Sequence, residues 1–144
     1  MERIIQEKTS ADHLLYVSLK YTKTTDVMLN LIARWKVMIE TAVDRLLEEA
    51  KKKKLTTEIP EAPKMKIDKI RDIYKKNPSV METMDLYEFF KRVENSEKAR
   101  ENEFRKNVTL KILDKGEWVN IDMEKLKEYS SLLERFITAI KQIL

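Results

Sequence analysis

The 144-residue chain has no cysteine, which excludes disulfides, thiolate metal sites and any Cys–His dyad. It has one glycine, Gly116, whereas a phosphate-cradling loop of either common kind needs several. A single histidine, His13, excludes a His-based zinc cluster. Any Ser–His–Asp triad would have to use that one ring, and nothing around Ser10, Ser18, Ser79 or Ser96 resembles a turn that presents a nucleophilic serine. His13 reads instead as a surface or half-buried residue of a first helical turn. No apolar run approaches the roughly 20 residues that span a bilayer. The opening Met1-Glu2-Arg3-Ile4-Ile5-Gln6-Glu7 carries acids and no long apolar stretch, so it does not read as a signal peptide. The expectation is a cytoplasmic protein without membrane contact, catalytic residues, metal or cofactor.

Charge is plentiful. Asp, Glu, Lys and Arg make up 38% of the chain, against about a quarter in ordinary domains. Lys/Glu enrichment without cysteine suits a heat-adapted source. The net charge of +4 is placed unevenly, since residues 51–76 hold 10 basic and 4 acidic side chains. Such a segment can meet an anionic partner, or can be a solvated linker and helix face.

Hydrophobic spacing gives one mainly α domain over residues 1–144. Met1–Lys8 reads as a helical turn or a frayed arm, followed by a helix over 10–21. Thr22-Lys23-Thr24-Thr25-Asp26 interrupts it with residues that favour caps. A long helix then starts near Asp26. Its apolar residues Met28, Leu31, Ile32, Trp35, Ile39, Ala42, Val43, Leu46 and Ala50 recur at helical steps. It ends in Lys51–Lys54, where cations oppose the negative end of the helix dipole. A Pro-containing linker leads to a helix over 63–76. Ser79-Val80-Met81-Glu82 has the form of a capping box and opens a helix with Val80, Met84, Tyr87, Phe90 and Val93 inward. The charged stretch Glu94–Lys106, with Ala99 and Phe104 inward, continues that helix or restarts it. The period then falls to two: Val108, Leu110 and Ile112 alternate with Thr109, Lys111 and Leu113. This predicts a β-hairpin over 108–121 with a three-residue loop, Asp114-Lys115-Gly116. A last helix starts at Asp122. The fold expected is a four- to five-helix bundle with a β-hairpin inserted before the C-terminal helix. The apolar last helix and the hairpin make a homodimer plausible.

Two polar clusters are candidate sites. Lys20, Lys23 and Thr24, in the first helical connection, could hold an anion or nucleotide at a helix N-terminus, with Arg34 and Arg105 contributing. Turn chemistry explains the same threonines. Arg105-Lys106-Asn107 could grip phosphate or close the C-terminus of the preceding helix. Lys64, Lys66 and Lys69, with Tyr74 among them, could bind RNA. Tyr74 and Trp118 are the rings worth testing as base-stacking platforms. Glu40 and Asp44, four apart, could bind magnesium or serve ordinary salt bridges.

The order of long helices, with Ala42-Val43-x-x-Leu46-Leu47 on the second, resembles the HEPN superfamily of helical-bundle domains. Residues 11–24, Ala11-Asp12-His13-Leu14-Leu15-Tyr16-Val17-Ser18-Leu19-Lys20-Tyr21-Thr22-Lys23-Thr24, are similar to small archaeal helical proteins grouped with that fold. The resemblance implies a helical bundle that binds nucleotides, forms dimers or cuts RNA. Ribonuclease members carry an Arg followed after four to six residues by His. No His follows Arg92, Arg100, Arg105 or Arg135, so no catalytic residue carries over, and the hairpin at 108–121 is not part of that pattern. Two functions follow: a non-enzymatic binding or protein-interaction module, or an RNA- or nucleotide-binding domain without the ribonuclease motif.

Overall fold

The computed structural model describes residues 1–144. Helix α1 (Glu2–His13) passes through a π-helical turn (Leu14–Ser18) into the short α2 (Leu19–Tyr21), forming one continuous first helix. Then come α3 (Thr25–Lys52), α4 (Pro63–Ile73) and α5 (Pro78–Val93). Strands β1 (Lys98–Glu101), β2 (Thr109–Asp114) and β3 (Glu117–Ile121) precede α6 (Met123–Ile143). The chain is thus mainly helical, with five helices in space and an antiparallel sheet of order β1-β2-β3 before the last.

The long apolar stripes form the core. All nine stripe residues of α3, from Met28 to Ala50, are buried, as are Val80, Met84, Tyr87, Phe90 and Val93 on α5. From α6 come Leu126, Tyr129, Leu133, Phe136 and Ile140. Burying each of the larger apolar side chains is worth about 1.5–3 kcal/mol. Trp35 stacks on Phe90 at 5.9 Å between centroids and meets the edge of Tyr129 at 6.3 Å. Its indole N–H is buried without an acceptor.

Four expectations need correction. Residues 1–8 are not a frayed arm: the helix starts at Glu2, and Ile4 is buried. Lys8 is buried too, its ammonium between Asp12 at 2.5 Å and Glu134 of α6 at 2.7 Å. This cross-helix ion pair pins the segment, and a one-helix reading could not reveal it. The α5 cap is not Ser79. Asn77 accepts the Val80 N–H at 3.3 Å, and Pro78 takes the first helical position, where its missing N–H costs nothing. The Ser79 carbonyl accepts the Thr83 hydroxyl instead.

The charged stretch after Val93 does not continue the helix, since it has too little apolar surface to hold a helical face against the core. It forms β1, which pairs along the edge of β2 with Lys98 opposite Ile112 and Glu101 opposite Thr109. The hairpin therefore gains a third strand. Its loop has two residues, not three, because Asp114 pairs directly with Glu117. Lys115 (φ 52°) and Gly116 (φ 82°) both adopt the left-handed region, which matches the twist of the flanking strands. Leu110, Ile112 and Ile121 turn inward and are buried, while Leu113 and Trp118 pair on the outer face.

Candidate functional site

The connection between α2 and α3 lies against the loop 102–107 that joins β1 to β2. The Phe104 N–H donates to the Lys23 carbonyl at 2.6 Å. Glu103 reaches the start of α3, where its carboxylate accepts the Thr25 N–H at 3.1 Å and the Thr25 hydroxyl at 2.5 Å. Thr24 caps the same helix by accepting the Val27 N–H at 3.3 Å. A helix N-terminus attracts negative charge, and here the chain supplies its own carboxylate. Arg100 of β1 adds an ion pair to Asp26 at 2.7 Å.

These anchors hold the loop in an unusual shape. Asn102 (φ 57°) and Phe104 (φ 66°) both sit in the left-handed region, which is rare for a bulky residue such as Phe. The result is an aromatic ring turned outward. Phe104 is 75% exposed and Tyr21, at the end of α2, is 78% exposed; they are the two most exposed large hydrophobic residues in the molecule. The Lys20 ammonium lies 5.9 Å from the centre of the Tyr21 ring. Lys23 donates its amine to the Lys20 carbonyl at 2.5 Å. Lys20, Lys23, Arg105 and Lys106 make no ion pair. The molecule thus presents a tip with two exposed rings and four cations that have no carboxylate partner.

Of the residues singled out from sequence for an anion, Lys20, Lys23, Thr24 and Arg105 meet at this tip. Arg34 does not: it lies nine residues along α3, about 13 Å from its start, and faces Glu7 of α1 at 3.8 Å. Arg105-Lys106-Asn107 closes no helix, because α5 ends at Val93. Phe104, expected inward, is the exposed ring. Its outward turn comes from the positive φ that the Glu103 and Lys23 anchors impose, which no hydrophobic period encodes.

The set on α4 disperses. Lys66 pairs with Asp44 at 2.8 Å. Tyr74 is half-buried, its hydroxyl donating to the Leu46 carbonyl at 3.3 Å; burial and the nearby Glu49 raise its pKa. A ring so held offers little face to a base. Lys69 forms no ion pair, and Lys64 points to a separate cleft beside α5. Of the lysine run that ends α3, Lys53 donates to the Ile143 carbonyl of α6 at 2.7 Å. Trp118 is 49% exposed on the sheet's outer face.

The acids seen as a possible metal pair are engaged separately. Glu40 accepts the Tyr87 hydroxyl at 2.7 Å, and burial followed by this hydrogen bond raises the Tyr87 pKa, while Asp44 holds Lys66. No three His, Cys, Asp or Glu residues group as metal ligands. His13 is exposed. No helix is long and apolar enough to cross a membrane.

Compared with protein-family models, curated proteins and solved structures, the chain matches none of them.

Proposed function

We propose that the protein is a non-enzymatic binding module whose tip engages single-stranded nucleic acid. The observation that carries this reading is the juxtaposition of Tyr21 and Phe104, both widely exposed, with Lys20, Lys23, Arg105 and Lys106, all free of carboxylate partners. Open rings give bases a stacking surface worth about 1–3 kcal/mol each, whatever the sequence. Free cations neutralise phosphates and release counterions. Residues held at positive φ, as Asn102 and Phe104 are here, cluster at functional positions. The HEPN-like pattern of residues 11–24 and 42–47 points the same way, because members of that superfamily bind nucleotides, form dimers or cut RNA. The missing Arg–His motif argues for binding without cleavage.

The test is fluorescence anisotropy with a labelled single-stranded RNA over a range of salt. Four phosphate contacts give a log–log salt slope of about −3. Phe104→Ala and Tyr21→Ala each weaken binding about tenfold, in keeping with the loss of one stacked base at about 1–3 kcal/mol. Absence of binding at low salt refutes the proposal, as does binding unchanged in the double variant. Capture by anionic lipid vesicles without RNA binding would reassign the tip to a membrane surface.

A further inference from the structure

A concavity lies at the opposite end of β2 from the tip. It is a cleft of about 590 Å³ between α4, α5 and the β2–β3 turn. The six residues of β2, at about 3.4 Å each, separate the two places, and neither shares a side chain with the other. The volume falls in the range of small-ligand sites.

Three lysines from three different elements line this cleft: Lys64 from α4, Lys91 from α5 and Lys115 from the hairpin turn. None has a carboxylate partner. The acids that line the same cleft are already taken. Asp114 accepts from Arg92 through both oxygens, at 2.7 and 3.2 Å, and Glu88 accepts from Arg71 at 3.0 Å. The Arg92–Asp114 fork fixes the guanidinium against α5 and leaves the three amines as the uncompensated charge. Ile67, Tyr87 and Leu113 supply an apolar floor, and Asn95 and Ser96 a polar rim.

We infer that this cleft is a binding site for a small organic phosphate monoester. Its lining carries four cations and two anions, a balance that complements a phosphate monoester, which bears about −1.5 to −2 charges at pH 7. Lysine amines bind such a group as point charges. The apolar floor takes the organic part, and three donors from separate elements close around the phosphate. The site does not rest on the nucleic-acid reading of the tip and is tested apart from it.

The experiment is titration calorimetry of the full chain with ribose 5-phosphate and AMP, against ribose, adenosine and inorganic phosphate, with amide chemical shifts followed by NMR. Both monoesters bind, ribose and adenosine do not, and inorganic phosphate binds more weakly than either monoester. The shifts move at Ser96, Leu113 and Lys115 and stay still at Phe104. The Lys91→Gln/Lys115→Gln double variant, at exposed positions that leave the core intact, loses at least about tenfold in affinity, or ~1.4 kcal/mol. No binding of either monoester at millimolar concentration overturns the inference. So does binding that survives the double variant, equal binding of adenosine, or shifts confined to the tip.

Discussion

Glu103 is the hinge pin of the tip, and its removal has a cost that follows from the geometry. In Glu103→Ala, two bonds to a carboxylate disappear, from the Thr25 N–H and the Thr25 hydroxyl. Thr25 is fully buried, so water does not readily replace the lost acceptor. Leaving a buried donor unsatisfied costs about 1–3 kcal/mol. Losing a negative charge at the N-terminus of the 28-residue α3 adds about 0.3–1 kcal/mol. The total is about 3 kcal/mol, which lowers Tm by about 10 °C for a domain of this length. Glu103→Gln keeps an oxygen at the same place and loses only the charge, so it costs about 1 kcal/mol. Thr25→Val removes the hydroxyl partner, and the double variant with Glu103→Ala is less destabilised than the sum of the two by at least about 0.5 kcal/mol. Urea unfolding followed by circular dichroism measures the parent and all four variants, and hydrogen exchange at the Phe104 amide reports whether the loop has come loose. If Glu103→Ala unfolds within about 0.5 kcal/mol of the parent, inside the range of an ordinary surface change, the carboxylate is not an N-terminal anchor and the explanation of the tip's shape fails.

Two other perturbations probe parts of the fold that the tip does not touch. Lys8→Ala leaves Asp12 without its near partner and removes the ion pair between α1 and α6; because Glu134 is well exposed, the expected loss is only about 1–2 kcal/mol, read from the urea midpoint, and an unchanged midpoint would show that the ion pair does not pin the segment. The Asp114 pKa is held below the usual carboxylate value near 3.9 by the hydrogen bond and charge of Arg92. That contribution is therefore whole above about pH 4 and is lost as pH falls through the lowered folded-state value. Asp114→Asn flattens this acid limb in thermal scans taken from pH 5 downward, and an unaltered slope would show that the pair is idle.

The helices were legible in sequence because their faces are long. On α3 the apolar residues from Met28 to Ala50 recur at helical steps, and burial reads the same pattern back. The period-two run at 108–113 and the glycine at 116 likewise located the hairpin. What escaped was set by contacts between residues far apart in the chain. Strand β1 exists because β2 offers an open edge to Lys98–Glu101, and nothing in Lys98-Ala99-Arg100-Glu101 alternates in hydrophobicity. Lys8 is held by Glu134, 126 residues away, a partner that no local pattern in Met1–Lys8 announces. The anion cluster was half-visible: hydroxyls and amines at 20–26 marked the place, and Arg105 marked the opposing loop. Glu103, which fills the helix start, was one acid among many, and its 78-residue reach to Thr25 has no local signature. A threonine-rich helix start facing a loop of mixed charge was the one available hint.

The two tryptophans divide the molecule optically. Trp35 lies stacked in the interior with its N–H facing no acceptor, so its emission belongs at the blue end and dims or shifts only when the core opens. Trp118 stands half in water on the sheet, paired across the strands with Leu113, which lines the lysine-lined cleft. Replacing either one with phenylalanine leaves a single-colour reporter, one for unfolding and one for events at the sheet, without attaching any dye.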